Sequence, residues 1–421
     1  MNVALASTYL SGGAGGAARR LHDGFVAAGV RSTLITRDPA GAPGIVHAQA
    51  KPGSPHEKAR WALDRIPKLA YRHRDGMRMF HPEWVPDLLW RQIRRAEPDV
   101  VNLHWICNSF LGVGSLERFR KPVVWSVHDM WPFTGGCFYS EDCDRYSSSC
   151  GRCPVLGSSH ERDLSRWTWM RKSRSWRRVD LTIVAPSTWL ADCARESGLF
   201  RGRRVERIPY GLDLTRFSPR DRREARAAFG LPQDKKIVLV GAWGDPVRKG
   251  LDLLQAALPR LAKVPDEAPD LVVFGTAGEV VAPGFRSHHL GRVVGEDAMA
   301  RLYSAADVTV VPSKWEALGF VALESIACGT PVIAYDAPTG LRDVVDHRVN
   351  GYLARAFDPD DLAHGIAWVI GDPDRHAALS RMARAKAERD YSIDGQVRRY
   401  LDLFADLIAA DSRSASGTER I

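Results

Sequence analysis

No run in this 421-residue chain approaches the ~20 apolar residues that span a bilayer. No charged and apolar leader precedes Met1-Asn2-Val3-Ala4-Leu5, which enters a strand pattern at once. Together these absences predict a protein made and kept in the cytoplasm. No internal repeat occurs, which excludes solenoid and propeller architectures. Acidic residues are the minority charge, 50 Asp and Glu against 59 Lys and Arg, and the net charge is +9. Such a balance calls for acidic partners, whether nucleotide diphosphates, anionic lipid or nucleic acid. Cysteine is scarce at seven residues, yet four of them crowd between Cys137 and Cys153.

The length suits two domains, each with its own core. Short apolar strands (Val100–Leu103, Val123–Val127, Leu181–Val184, Ile237–Val240, Leu271–Phe274, Val308–Val311) alternate with helical patterns. That alternation predicts α/β units with parallel sheets. After Tyr391, Val397, Tyr400, Leu401, Leu403, Phe404, Leu407 and Ile408 have helical spacing, and residues 411–421 read as a frayed, Ser-rich tail.

The most informative stretch runs from Trp315 to Gly351. Glu316 and Glu324 lie eight positions apart and straddle Gly319. The run Val321 to Ala327 predicts a helix beginning near Gly319 and ending at Gly329 and Pro331, followed by a buried strand, Val332 to Tyr335. The first amides of such a helix point outward, and its dipole favours an anion. A carboxylate at each end suits a ligand with hydroxyls on both sides of a diphosphate, which describes a nucleotide sugar.

This pattern resembles the E-x7-E motif of retaining glycosyltransferases of family 4. Ala306-Asp307-Val308, Val311-Pro312-Ser313 and Ala327-Cys328-Gly329-Thr330-Pro331 fit in register. The resemblance implies the GT-B fold, with two Rossmann-like domains facing across a cleft and a C-terminal helix returning to the first. On that basis 1–205 is an acceptor-side domain, 206–388 the nucleotide-sugar domain, 389–410 the returning helix and 411–421 a disordered tail. Ile208-Pro209-Tyr210-Gly211-Leu212-Asp213 resembles the family's hinge word, with Tyr210 where Asn is usual.

The same resemblance assigns donor-binding roles to Gly13, Arg248, Lys249, Gly319, Phe320, Val321 and Glu324. Gly13 belongs to the Gly-rich turn Ser11 to Arg20, which can bring backbone amides close to a phosphate or sugar. Arg248-Lys249-Gly250 follows a strand and supplies cations for a diphosphate. The family's usual first Arg is replaced by Ala242, leaving Arg248 or Arg292 to compensate. His128 follows the strand Val123–Val127, where ligands gather in open α/β sheets. His128 and Glu316 are the catalytic candidates, and no catalytic metal is implied. A structural pairing of His128 with Asp129 is the alternative; His104 is similarly placed but less diagnostic.

Cys137, Cys143, Cys150 and Cys153 are spaced C-x5-C-x6-C-x2-C. Cytosolic thiols stay reduced, so the cluster suits tetrahedral zinc, with free thiols or a redox pair as alternatives. The surrounding H-D-M-W-P-F-T-G-G-C passage resembles a subset of family 4 enzymes associated with exopolysaccharide assembly. Segment 162–178 interleaves seven cations with Trp167, Trp169 and Trp176, and 58–78 has a similar flavour, which suggests a membrane surface. Asp358-Pro359-Asp360 and Asp372-Pro373-Asp374 are better explained as helix caps than as a metal motif.

The expected function is transfer of a sugar from a nucleotide-diphosphate donor to a carbohydrate or lipid-linked acceptor with retention. Alternatives are a sugar-nucleotide epimerase or phosphorylase of the same fold, and a basic, zinc-containing nucleic-acid-binding protein. The last is disfavoured because it leaves the two nucleotide-type domains unexplained.

Overall fold

The computed structural model describes residues 1–39, 41–48, 54–71, 79–242, 244–261, 268–275, 280 and 283–418. The chain divides into two compact units, Met1–Pro209 with Asp394–Ile421, and Tyr210–Ile393.

In the first unit a seven-stranded sheet is assembled from β1 (Asn2–Ala6), β2 (Arg31–Thr36), β3 (Ile45–His47), β4 (Val100–Leu103), β5 (Val123–Ser126), β6 (Leu181–Ala185) and β7 (Val205–Arg207). Its order is β3-β2-β1-β4-β5-β6-β7, and every pairing is parallel. Central strands β4, β5 and β6 are buried at every position, which explains their unbroken apolar runs. The helices are α1 (Gly12–Ala27), α2 (Pro55–Arg65), α3 (Leu89–Arg95), α4 (Leu164–Trp176) and α5 (Thr188–Glu196).

The second unit has β8 (Ile237–Ala242), β9 (Asp270–Gly275), β10 (Ser287–Gly291), β11 (Val308–Val311), β12 (Val332–Asp336) and β13 (Gly351–Arg355), in the parallel order β10-β9-β8-β11-β12-β13. Around it lie α6 (Arg222–Ala228), α7 (Leu251–Leu261), α8 (Glu296–Ala305), α9 (Phe320–Ala327), α10 (Leu341–Val344), α11 (Pro359–Ile370) and α12 (Pro373–Asp390). Leu254, Leu258, Val238, Val310, Ile333, Leu362 and Ile366 join α7, the sheet and α11 in one core. In each unit the strand order reverses beside the first strand, at β1/β4 and at β8/β11. Ligands of doubly wound sheets gather outside the carboxyl ends of strands at such a reversal.

The crossings between units differ from the sequence boundaries for local reasons. Ile208 still donates to the Ala185 carbonyl of the first unit, whereas Leu212 donates to Tyr391 of the second. Tyr391 also donates to the Asp343 carbonyl, which keeps residues 389–393 in the second unit. The final helix, α13, spans Ile393–Thr418, so the tail expected to be disordered from 411 is helical as far as Thr418. Ser412 Oγ donates to the Ile408 carbonyl, continuing the helix beyond its apolar face. Tyr400 and Phe404 of α13 pack on Phe25 of α1 at 6.2 and 5.7 Å between ring centroids.

Candidate functional site

At the β8/β11 reversal two loops are pressed together. Gly250 has φ +65°, and a Cβ there would lie 2.0 Å from the Pro312 carbonyl oxygen, so no other residue fits without backbone movement. Lys314 donates its amide to the Arg248 carbonyl at 2.8 Å, tying the loop after β8 to the loop after β11.

That contact gathers three of the candidate residues. Lys249 Nζ donates to Glu316 Oε1 at 2.5 Å. Arg248 Nη1 donates to the Trp315 carbonyl at 3.0 Å and reaches Glu316 Oε1 at 3.5 Å. Glu316 is 9% exposed. Burial pushes its carboxyl up, but Lys249, then Arg248, outweigh it and hold the group below its ordinary value. Glu316 is therefore an ionised, buried carboxylate shared by two cations.

The sequence-predicted helix is α9, and Gly319 is its N-cap with φ +95°. A Cβ at Gly319 would come within 2.6 Å of Leu341 Cδ2, so the loop closes tightly over α10. No side chain caps the start of α9. Phe320 and Val321 are its first two residues, whose amides have no intrahelical acceptor. Tyr210, the residue replacing the family's usual Asn, stacks on Phe320 at 4.7 Å and 5°. Glu324 lies one turn further, buried, and accepts from Tyr303 Oη at 3.0 Å. Sequence reasoning missed Tyr303; its place on the buried face of α8, where a phenol needs a partner, was the available signal.

On the first unit, Gly13 is the second residue of α1, after β1, and His128 follows β5. Both stand at the carboxyl edge of one sheet. His128 meets His104: His104 Nδ1 and His128 Nε2 are 2.9 Å apart, with the rings stacked at 5.1 Å. Asp129 Oδ1 accepts from the Trp131 amide. Burial lowers His128 to about 3, and lowers His104 well below its usual value, with His128 adding to the effect. Both rings are neutral.

Cys137, Cys143, Cys150 and Cys153 line one cavity of about 20 Å³ with Phe80 and Tyr146. Burial pushes Cys137 well above its ordinary value, Cys150 up to about 12 and Cys153 up to about 11. Among the described residues no group of three or more His, Cys, Asp or Glu side chains is arranged to hold a metal ion. The shared cavity is real, but the zinc expectation gains no support from its geometry. Behind it lies a residue that sequence reasoning placed on a basic surface: Lys172 is fully buried. Its Nζ donates to the Trp131 and Thr134 carbonyls at 2.5 and 3.1 Å and sits 3.5 Å from the Trp131 ring centroid. Trp176 is buried as well. Asp358 and Asp372 each cap a helix, α11 and α12, through backbone amides.

Residues 11–216 match the family model of glycosyltransferase family 4, and residues 221–386 that of the group 1 glycosyl transferases. The chain is 35% identical over 307 residues to D-inositol 3-phosphate glycosyltransferase 2 of Catenulispora acidiphila, covering 69% of this chain and 67% of that one. A D-inositol 3-phosphate glycosyltransferase of Xylanimonas cellulosilytica is 36% identical over 324 residues, covering 73% and 72%. Other relatives, such as that of Geodermatophilus obscurus, are spanned over about half their length, 51%. Among solved structures, a sucrose-phosphate synthase from Thermosynechococcus elongatus superposes with a TM-score of 0.71 at 23% identity, over 97% of this chain and 99% of that one. Anabaena HepE in complex with UDP-glucose gives 0.67 at 18% identity, over 97% and 100%. The chain belongs to the group 1, family 4 glycosyltransferases and has the GT-B fold.

Proposed function

We propose that this glycosyltransferase moves a hexose from a nucleotide-diphosphate sugar to a carbohydrate or lipid-linked acceptor, keeping the anomeric configuration. The observation that carries the reading is the cluster of Lys249, Arg248 and Glu316 beside the uncapped start of α9, with Glu324 one turn inside. Glu324, held by Tyr303, accepts from ribose hydroxyls. The amides of Gly319, Phe320 and Val321 receive the diphosphate, and Lys249 with Arg248 stabilises charge as the leaving group departs. Glu316 orients sugar hydroxyls. On the acceptor side, the Gly13 turn and His128 organise sugar and acceptor, and the leaving phosphate takes the acceptor proton.

The enzyme works at the cytoplasmic face of a membrane. Among the described residues no helix is long and apolar enough to cross one. A surface of exposed Trp61, Leu63, Ile66 and Leu69 continues through Trp84 to Trp167 and Met170. Arg65 and Arg171 stack on Trp61 and Trp167, pairing cations with aromatic rings as a headgroup layer requires. This face differs from the one expected on 162–178, because Lys172 and Trp176 point into the core. Residues 72–78 of the second expected segment lie outside the described residues.

Structural zinc at the four cysteines is a separate proposal that rests on their C-x5-C-x6-C-x2-C spacing. Metal analysis tests it: one zinc per chain, lost in Cys150→Ser, supports it, and a zinc-free protein with normal stability refutes it. For the main reading, calorimetry and donor hydrolysis across UDP-, GDP- and ADP-sugars select the donor. Binding of none of them, with salt-sensitive binding of an oligonucleotide instead, overturns it.

A further inference from the structure

A line of buried hydrogen bonds runs from α13 to His128. Tyr400 Oη and Ser126 Oγ are 2.7 Å apart, and Asn102 Nδ2 donates to Ser126 Oγ at 2.9 Å and to the Val124 carbonyl at 3.0 Å. A carbonyl can only accept, so the Val124 contact fixes which end of the Asn102 amide carries nitrogen. Asn102 Oδ1 is then the atom 3.0 Å from His104 Nε2, and it too can only accept. His104 must carry its proton on Nε2. Its Nδ1 is left with a lone pair, so the 2.9 Å contact to His128 Nε2 is a hydrogen bond only if His128 donates.

We propose that Asn102 and His104 are positioning residues that lock His128 as the Nε2–H tautomer, with the lone pair of the ring on Nδ1. The chain of roles runs in one direction because it starts at a backbone carbonyl. Asn102, His104, Ser126 and Tyr400 are all buried, so water does not compete for these roles. Burial also keeps both rings neutral, which excludes the imidazolium form that could break the order. In this tautomer the Nδ1 of His128 can accept a hydrogen bond and cannot donate one. The proposal rests on the reading that His128 faces the sugar or acceptor.

The test is NMR of the full-length protein labelled with ¹⁵N-histidine, with His128 assigned from the signals lost in His128→Gln. Long-range ¹H–¹⁵N correlations should show His104 and His128 both protonated on Nε2. Nδ1-protonated His128 in the wild type overturns the proposal without any variant. His104→Gln keeps both roles, its amide nitrogen donating to Asn102 and its oxygen accepting from His128, and should preserve kcat. His104→Leu should lower kcat roughly tenfold or more with the donor KM little changed. Equal losses of kcat in the two variants, in folded protein, would reduce His104 to packing and overturn the positioning role. Unchanged kcat in His128→Ala would instead remove the reading of His128, leaving the tautomer result intact.

Discussion

Lys249 and Glu316 form a 2.5 Å ion pair at the strand-order reversal of the second unit, and the pair ties the two loops that flank the proposed donor site. The side chains are 16% and 12% exposed, so removing either partner leaves the other charge largely buried and uncompensated. Breaking it from either side should have different consequences. Lys249→Met removes the cation proposed to meet the diphosphate and should weaken nucleoside diphosphate binding by about tenfold or more. Glu316→Gln should lower kcat more than it changes nucleotide affinity. Calorimetry beside steady-state kinetics separates the two, and identical profiles for both variants would contradict the division of roles.

Glu324 is anchored by Tyr303 and buried within α9. Hydrogen bonds to a charged acceptor are worth roughly 1.5–3 kcal/mol, so Glu324→Gln should weaken donor binding by about ten- to a hundredfold. Tyr303→Phe should cost less, because it removes an orienting contact rather than the acceptor itself. Nucleotide affinity unchanged in Glu324→Gln would remove the anchor of the donor site.

Much of the local structure of this candidate site was legible in the sequence. The spacing of Glu316 and Glu324, the glycine at 319 and the helix after it all depend on local backbone rules, and α9 begins within a residue of the expected start. What was hidden depends on tertiary packing. Lys172 sits among Arg166, Arg171 and Arg174 in sequence, and only the fold turns it inward under Trp131. The His104–His128 contact joins two strand ends 24 residues apart, a pairing that periodicity cannot reveal. The extension of α13 to Thr418 was missed because its last turns carry no apolar stripe.

Lys172 gives the fold a pH signature. Burial lowers its amine from 10.5 to about 7, despite opposing effects from Cys107, Cys150 and Cys137. The folded state releases this proton near pH 7, whereas the unfolded chain holds it to about 10.4. Between those values the unfolded state binds more protons, so this group makes stability rise with pH. Above pH ~8.5 the buried thiols, whose folded pKa values are raised, act in the opposite direction. From pH 7 to 8.5, denaturation should show wild type gaining on Lys172→Met by at most about 1.4 kcal/mol per pH unit. A constant difference across that range would contradict the assignment.

For the apolar and cationic face around Trp61 and Trp167, vesicle sedimentation is the direct measurement. Each cation near an anionic bilayer contributes about 1 kcal/mol, and Trp favours headgroup depth. The protein should sediment with anionic but not neutral vesicles at low salt, and high salt should release it. Trp61→Ser with Trp167→Ser should abolish sedimentation and leave nucleotide binding intact. Indifference to both vesicle types would point to a soluble acceptor.

The central claim is retaining transfer at a donor site built from α9, Lys249 and the two glutamates. Its most direct test is the anomeric configuration of the newly formed linkage, read by NMR of the product before it can equilibrate. The account predicts the configuration of the donor sugar in the product, with that signal lost in Glu324→Gln at donor concentrations that saturate the wild type partially. An inverted linkage would contradict it.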